Sequence, residues 1–119
     1  MNIIHINNYE DCVKYLQTLV FNNEICILDY YFIHNVGIKL LKNTIDTLNI
    51  NTKTSFIFNC KDSLSYVLYC IESKIPYIIY QQNNNNLDNL YNLALKNNSL
   101  IFQNIEKSIE YFKNIYYTN

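Results

Sequence analysis

Apolar runs of strand length alternate with helix-period segments five times along this chain. The strand-like runs are Asn2 to Ile6 (NIIHI), Glu24 to Asp29 (EICILD), Thr54 to Asn59 (TSFIFN), Ile75 to Tyr80 (IPYIIY) and Ser99 to Phe102 (SLIF). A helix-spaced segment follows each of them. Tyr9 to Phe21 carries Cys12, Val13, Leu16, Leu19 and Val20 at three- and four-residue intervals. Val36 to Leu48 places Gly37, Leu41, Thr44, Ile45 and Leu48 on one face. Asp62 to Ser73 has the stripe Leu64, Val67, Leu68 and Ile71. Leu87 to Lys96 is carried by Leu87, Leu90, Tyr91 and Ala94, and Ile105 to Tyr116 by Ile105, Ile109, Phe112 and Tyr116.

The strands are near-continuous in Ile, Leu, Phe and Tyr rather than alternating, which predicts burial on both faces. Strict strand-then-helix alternation predicts right-handed crossovers and a parallel sheet with helices on each side. The expected fold is a three-layer α/β sandwich over residues 1–119, one domain. Its parallel five-stranded sheet is built from repeated βα units, flavodoxin-like or Rossmann-like in form. Pro76 sits at the start of its strand, where a missing N–H is tolerated. Asn replaces Gly in the turns at Asn22-Asn23, Asn49 to Asn51 and Asn97-Asn98, because it tolerates a left-handed backbone. The run Gln81 to Asn86 (QQNNNN) reads as a polar surface loop.

Composition narrows the function classes. The chain has 119 residues, half of them hydrophobic, and a net charge of −1, so it can bury a core and is not a charge-driven tail. Asn, Ile, Tyr and Lys are abundant and every basic residue except His is Lys, the mark of an AT-rich coding sequence. Without Arg there is no bidentate phosphate or carboxylate fork. Scattered Lys gives no electrostatic footprint for nucleic acid. No basic leader precedes the first apolar run, and no stretch approaches the roughly 20 apolar residues of a membrane span, so a cytoplasmic protein is expected. Cys12, Cys26, Cys60 and Cys70 lack zinc-ligand spacing and are expected as free, buried thiols. No metal and no cofactor are expected.

Ligands of open parallel sheets bind beyond the carboxyl ends of strands, where the strand order reverses. That rule selects Asn7-Asn8, Asp29-Tyr30-Tyr31, Cys60-Lys61-Asp62-Ser63, Gln81-Gln82 and Gln103-Asn104. The candidate ligand-binding residues are Asn7, Asn8, Asp29, Cys60, Lys61, Asp62, Ser63 and Gln81. With strand order 2-1-3-4-5, Asn7, Asn8, Cys60, Lys61 and Asp62 would line the switch. Cys60 precedes a helix start, where the helix dipole and Lys61 favour a thiolate. Its structural reading is a small buried hydrophobe. Asp62 or Ser63 also reads as a helix N-cap.

His5 lies inside the first strand as a core or edge residue, and His34 stands near Asp29 at the carboxyl edge. Gly37 is the only glycine, so phosphate-cradling loops are absent, and it reads as a small residue at a close helix–sheet approach. Twelve tyrosines are dispersed; the pairs Tyr30-Tyr31 and Tyr116-Tyr117 suit a protein–protein contact better than base stacking. The C-terminal helix YFKNIYY offers an amphipathic face for a partner or for self-association.

The stretch Ile25 to Ile75 resembles the middle of a STAS domain, the anti-sigma-factor-antagonist module. The matching residues are Leu28-Asp29, Phe32, Gly37, Leu40-Leu41, Leu48 and Asn59. The resemblance implies a regulatory interaction module. That family's phosphoacceptor Ser precedes the Gly; here the positions read His34-Asn35-Val36-Gly37, so no phosphorylation switch is implied. A response-regulator receiver also alternates strand and helix, but its acidic positions fall on Asn7-Asn8 and Cys60-Lys61 here. The resulting expectation is a non-catalytic module that binds a protein partner or itself, without nucleic acid or membrane. The alternative is a small ligand-binding domain or thiol-dependent enzyme using Cys60.

Overall fold

The computed structural model describes residues 2–18, 23–48, 54–82 and 87–117. Leu19, Val20, the Asn turns at 22 and 49–51 and the run Asn83 to Asn86 lie outside them. The elements run β1 (Asn2–Ile6), α1 (Tyr9–Leu16), β2 (Glu24–Leu28), α2 (Tyr30–Val36), α3 (Ile38–Leu48), β3 (Thr54–Asn59), α4 (Leu64–Glu72), β4 (Tyr77–Ile79), α5 (Asp88–Lys96), β5 (Leu100–Phe102) and α6 (Ile105–Tyr117). The protein is an α/β sandwich with a five-stranded, all-parallel sheet, as the strand–helix alternation predicts.

The strands lie in the order β1-β2-β3-β4-β5. An order of 2-1-3-4-5 would set β1 beside β3. Here β2 separates them, so the crevice of Asn7, Asn8, Cys60, Lys61 and Asp62 does not form. Every crossover steps the same way, and repeated right-handed crossovers put all connecting helices on one face. The packing follows. One core cluster joins Cys12 and Leu16 of α1, Phe32 of α2, Leu41 of α3, Val67 and Cys70 of α4 and Ala94 of α5 to Ile6, Cys26, Leu28, Phe56, Phe58 and Ile78 of the sheet. A second cluster on the opposite face holds Ile25, Ile27, Ile57, Ile79 and Phe102 under Phe112. Among the described residues, only α6 supplies helix residues to it.

This asymmetry explains the edge. Parallel partners share a face, and Ile3 pairs with Ile25 while His5 pairs with Ile27. Both β1 residues are exposed, although their β2 partners are buried. β2 is buried along its whole length; β1 is not. At the amino end of the sheet, the buried Glu24 accepts hydrogen bonds from Tyr15 (2.6 Å) and Asn2 (3.1 Å). Two hydrogen bonds satisfy the carboxylate, which keeps its burial tolerable.

The helix expected over Val36 to Leu48 is present as α3, starting at Ile38, and a second helix precedes it. Asp29 caps a separate α2, its carboxylate accepting from the Tyr31 amide at 3.2 Å. Gly37 ends it at φ 98° and ψ 141°. The Gly37 amide donates to the Ile33 carbonyl, and its own carbonyl accepts from Leu41, so one residue closes α2 and opens α3. A Cβ here would meet no atom within 4 Å, so Gly37 does not serve a close approach. Its role is backbone conformation, in a region that side-chain-bearing residues rarely enter. Gly37→Ala is expected to lower stability by about 1–3 kcal/mol through strain alone. Urea unfolding would check this, and an unchanged midpoint would refute the strain argument.

Turns use more than Asn. Asn98 takes φ 61° as the Asn-for-Gly reading predicts, but Lys61 (φ 48°) and Lys74 (φ 64°) are left-handed too. The stripe of α4 also differs. Val67, Cys70 and Ile71 face the core, while Leu64 and Leu68 are exposed.

Candidate functional site

Four polar residues at the carboxyl ends of the strands, Asn8, Asp29, Ser63 and Asn104, bond the first amides of the helices that follow. Asn8 caps α1, its side-chain oxygen accepting from the Asp11 amide at 2.8 Å, while its Nδ2 donates to Asp11 and Asn7. Ser63, not Asp62, caps α4, accepting from the Tyr66 amide at 3.4 Å. Asn104 accepts from the Lys107 amide at the start of α6. Asp62 is exposed, and so is Gln81, whose amide donates to the Lys61 carbonyl. The side chains of Asn8, Ser63 and Asn104 satisfy first-turn amides that would otherwise lack partners. They do not converge on a common point.

Cys60 is turned inward. Strand periodicity of two puts it on the face of Phe56 and Phe58, and all three join the main core cluster. It is fully buried, and its sulfur lies 3.6 Å from that of Cys70 on α4. No surface is presented to a metabolite-sized substrate. That orientation is readable from the spacing Phe56, Phe58, Cys60.

The carboxyl edge instead gathers aromatic rings. Tyr30 and His34, four residues apart on α2, share one helix face. Tyr66 of α4 packs against both, with centroids 5.3 Å from Tyr30 and 5.6 Å from His34. His34 Nδ1 and the Tyr66 hydroxyl are hydrogen-bonded. Lys61 reaches over Tyr31, its ammonium 4.2 Å from the ring centroid, and over Tyr30 at 5.6 Å. That cation–π contact uses the Lys61 charge within the chain. The Tyr66 hydroxyl pKa is raised by desolvation first, then by Tyr30 and Cys60. The sequence signal for this cluster is the Tyr30–His34 spacing; the partner on α4 has none.

Beside the rings, a groove of about 460 Å³ runs between the α2–α3 junction and α4. Its apolar walls are Ile33, Val36, Ile38, Leu40, Tyr66 and Tyr69, and His34, Lys39 and Ser65 add the polar groups. Among the described residues, no carboxylate lines it. On the other side of α4 lies a second groove, of about 320 Å³, bounded by Leu64, Leu68, Tyr80, Leu87, Leu90 and Leu93. α4 is therefore a ridge between two apolar furrows. Among the described residues, no group of three or more His, Cys, Asp or Glu side chains is placed to hold a metal. No helix among them is long and apolar enough to cross a membrane.

Comparisons with known proteins add no identity: no family model, no curated protein and no solved structure matches this chain.

Proposed function

We propose that this chain is a non-catalytic interaction module, and that the α4 ridge is where it meets a partner protein. The carrying observation is the composition of α4. In LSYVLYCIE the one charged residue is Glu72, at the last position. A helix apolar all round belongs in an interior. Yet Leu64, Leu68 and Tyr69 are 47%, 42% and 39% exposed. Leu40 of α3 and Leu93 of α5 extend the apolar surface to either side. A patch of this kind, rimmed by polar residues, is typical of a protein contact.

The partner's chemistry follows from the furrows. Both accept apolar side chains. The one beside α3 carries Lys39 and His34 without a balancing carboxylate. The fitting occupant is a segment of another protein with apolar side chains at helical or strand spacing and carboxylates on the α3 side. The resemblance of residues 25–75 to STAS domains supports a regulatory role for that contact. Cys60, fully buried, has no surface to offer a substrate at the sheet's carboxyl edge.

The test is peptide selection on the folded chain. Selected peptides are expected to combine apolar residues with Asp or Glu. Their affinity should fall tenfold or more, about 1.4 kcal/mol or above, in Leu68→Glu and in Tyr69→Ala. Thermal unfolding of both variants should stay near that of the parent, since neither side chain is in the core. Peptides that bind equally well to both variants would place the contact elsewhere. A parent that selects no peptide would remove the proposal.

A further inference from the structure

Two thiols in the main core touch. Cys60 follows the last residue of β3, and Cys70 faces it from the inner side of α4, ten residues later. Their sulfurs are 3.6 Å apart, and both residues are fully buried. A disulfide needs about 2.05 Å between sulfurs. Closing the bond brings the two sulfurs about 1.5 Å nearer. We propose that Cys60 and Cys70 form a dithiol site that a hydroperoxide closes to a disulfide.

The oxidant class follows from the burial. A bulky disulfide reagent has no access to sulfurs with no exposed surface, whereas a small neutral peroxide enters through local opening of the turn. Position assigns the roles. Cys60 adjoins the turn at residues 61–62, so a peroxide entering there meets its sulfur first, and Cys70, inside on α4, is the resolving thiol. In the first step Cys60 loses its proton and its sulfur bonds one peroxide oxygen. The O–O bond breaks, and the leaving oxygen takes up a proton, departing as water from hydrogen peroxide. Cys60 is now a sulfenic acid. In the second step the Cys70 sulfur attacks the Cys60 sulfur, the S–O bond breaks, and the hydroxide leaves as water with the Cys70 proton. Two thiols lose two protons and two electrons, and hydrogen peroxide takes them up to become two waters.

The bond would tie the end of β3 to the helix that carries the proposed contact ridge, but the chemistry is independent of that ridge. Cys12 and Cys26 serve as internal controls, buried in the same core. The native chain is treated with a molar excess of hydrogen peroxide, quenched, denatured and alkylated with iodoacetamide. The expected intact mass shows two hydrogens lost and two alkylated thiols. Peptide mapping should join Cys60 to Cys70, and dithiothreitol should reverse the change. The oxidised chain is expected to melt about 5 °C or more above the reduced one, because the crosslink restricts the unfolded state. In Cys70→Ala, the bridge should be absent and a sulfenic acid on Cys60 should be trapped by dimedone. Four alkylated thiols after peroxide would overturn the proposal. So would a bridge mapped to Cys12 and Cys26, or one joining two chains.

Discussion

Phe112→Ala will destabilise this protein by about 3–5 kcal/mol, a large share of the roughly 5–15 kcal/mol that holds an ordinary domain folded. The size follows from the uneven layering of the sheet. One face is covered by five helices, so the loss of a side chain there is cushioned by neighbours. The other face rests on α6 alone among the described elements. Phe112 is the centre of that helix's buried side, 1% exposed. Its ring meets Tyr77 edge-on at 4.8 Å and lies 5.8 Å from Tyr116 and 6.2 Å from Phe102. Tyr116 in turn holds Ser55 of β3 by a 2.8 Å hydrogen bond, fixing the far end of α6 across the sheet. Removing the ring leaves a cavity and also weakens the docking of the whole helix. Ile25, Ile27, Ile57 and Ile79 would then open to water as one apolar surface. Urea unfolding should show the lowered midpoint, and the variant should bind more of a hydrophobic dye than the parent does. A loss below about 1 kcal/mol would mean that the site collapses freely or that α6 contributes little.

The fold class was legible because each strand–helix alternation is a local signal. Thr54–Asn59 and Asn2–Ile6 begin and end where the apolar runs do. What lay beyond reach was relational. NIIHI and EICIL look alike as strings, yet one is an edge with Ile3 and His5 uncovered and the other is the buried second strand. Nothing within a strand states which neighbours it will have. The same limit hid the strand order, since every right-handed crossover reads alike whether it steps forward or back. Helix α2 was hidden differently. Its YYFI run favours a strand by propensity, and it is the Asp29 cap and the Gly37 break that make it helical.

The candidate site was partly legible for a related reason. Asn8, Asp29 and Ser63 stand at the strand ends where ligand residues are sought, but the same positions are where helices need caps. Position alone does not separate the two uses. On α4 the apolar pattern has no polar face to set against it, so periodicity assigned Leu64 and Leu68 to the core. The structure buries Cys70 and Ile71 and leaves those leucines outside. That ambiguity in the sequence is itself the observation on which the interaction proposal rests.

Stability should be level from about pH 6 to 8 as far as the buried thiols and Tyr15 govern it, and should fall steeply above pH 9. Burial pushes the Cys12 thiol from its ordinary 9.0 up to about 11. Cys26 moves in the same direction, by burial first and then by the charges of Cys12 and Glu24. Cys70 is raised by its hydrogen bond to Cys60 and by burial. Tyr15 is raised by burial and by its hydrogen bond to Glu24. In each case the folded chain keeps a proton that the unfolded chain gives up at its ordinary value. Below pH 9 both states hold these protons, so the folded state keeps its full advantage. Above it the unfolded state binds fewer, and stability drops by about 1.4 kcal/mol per pH step for each group that differs. For Cys12 the full loss, reached as the pH passes 11, is about 3 kcal/mol. Several such groups acting together should unfold the chain near pH 10–11. Urea midpoints measured across this range would trace the fall, and Cys12→Ala should make the slope shallower by one group's share. A midpoint that stays level to pH 11 would mean that the thiols meet water in the folded state, against the burial of Cys12 on α1 and Cys26 on β2.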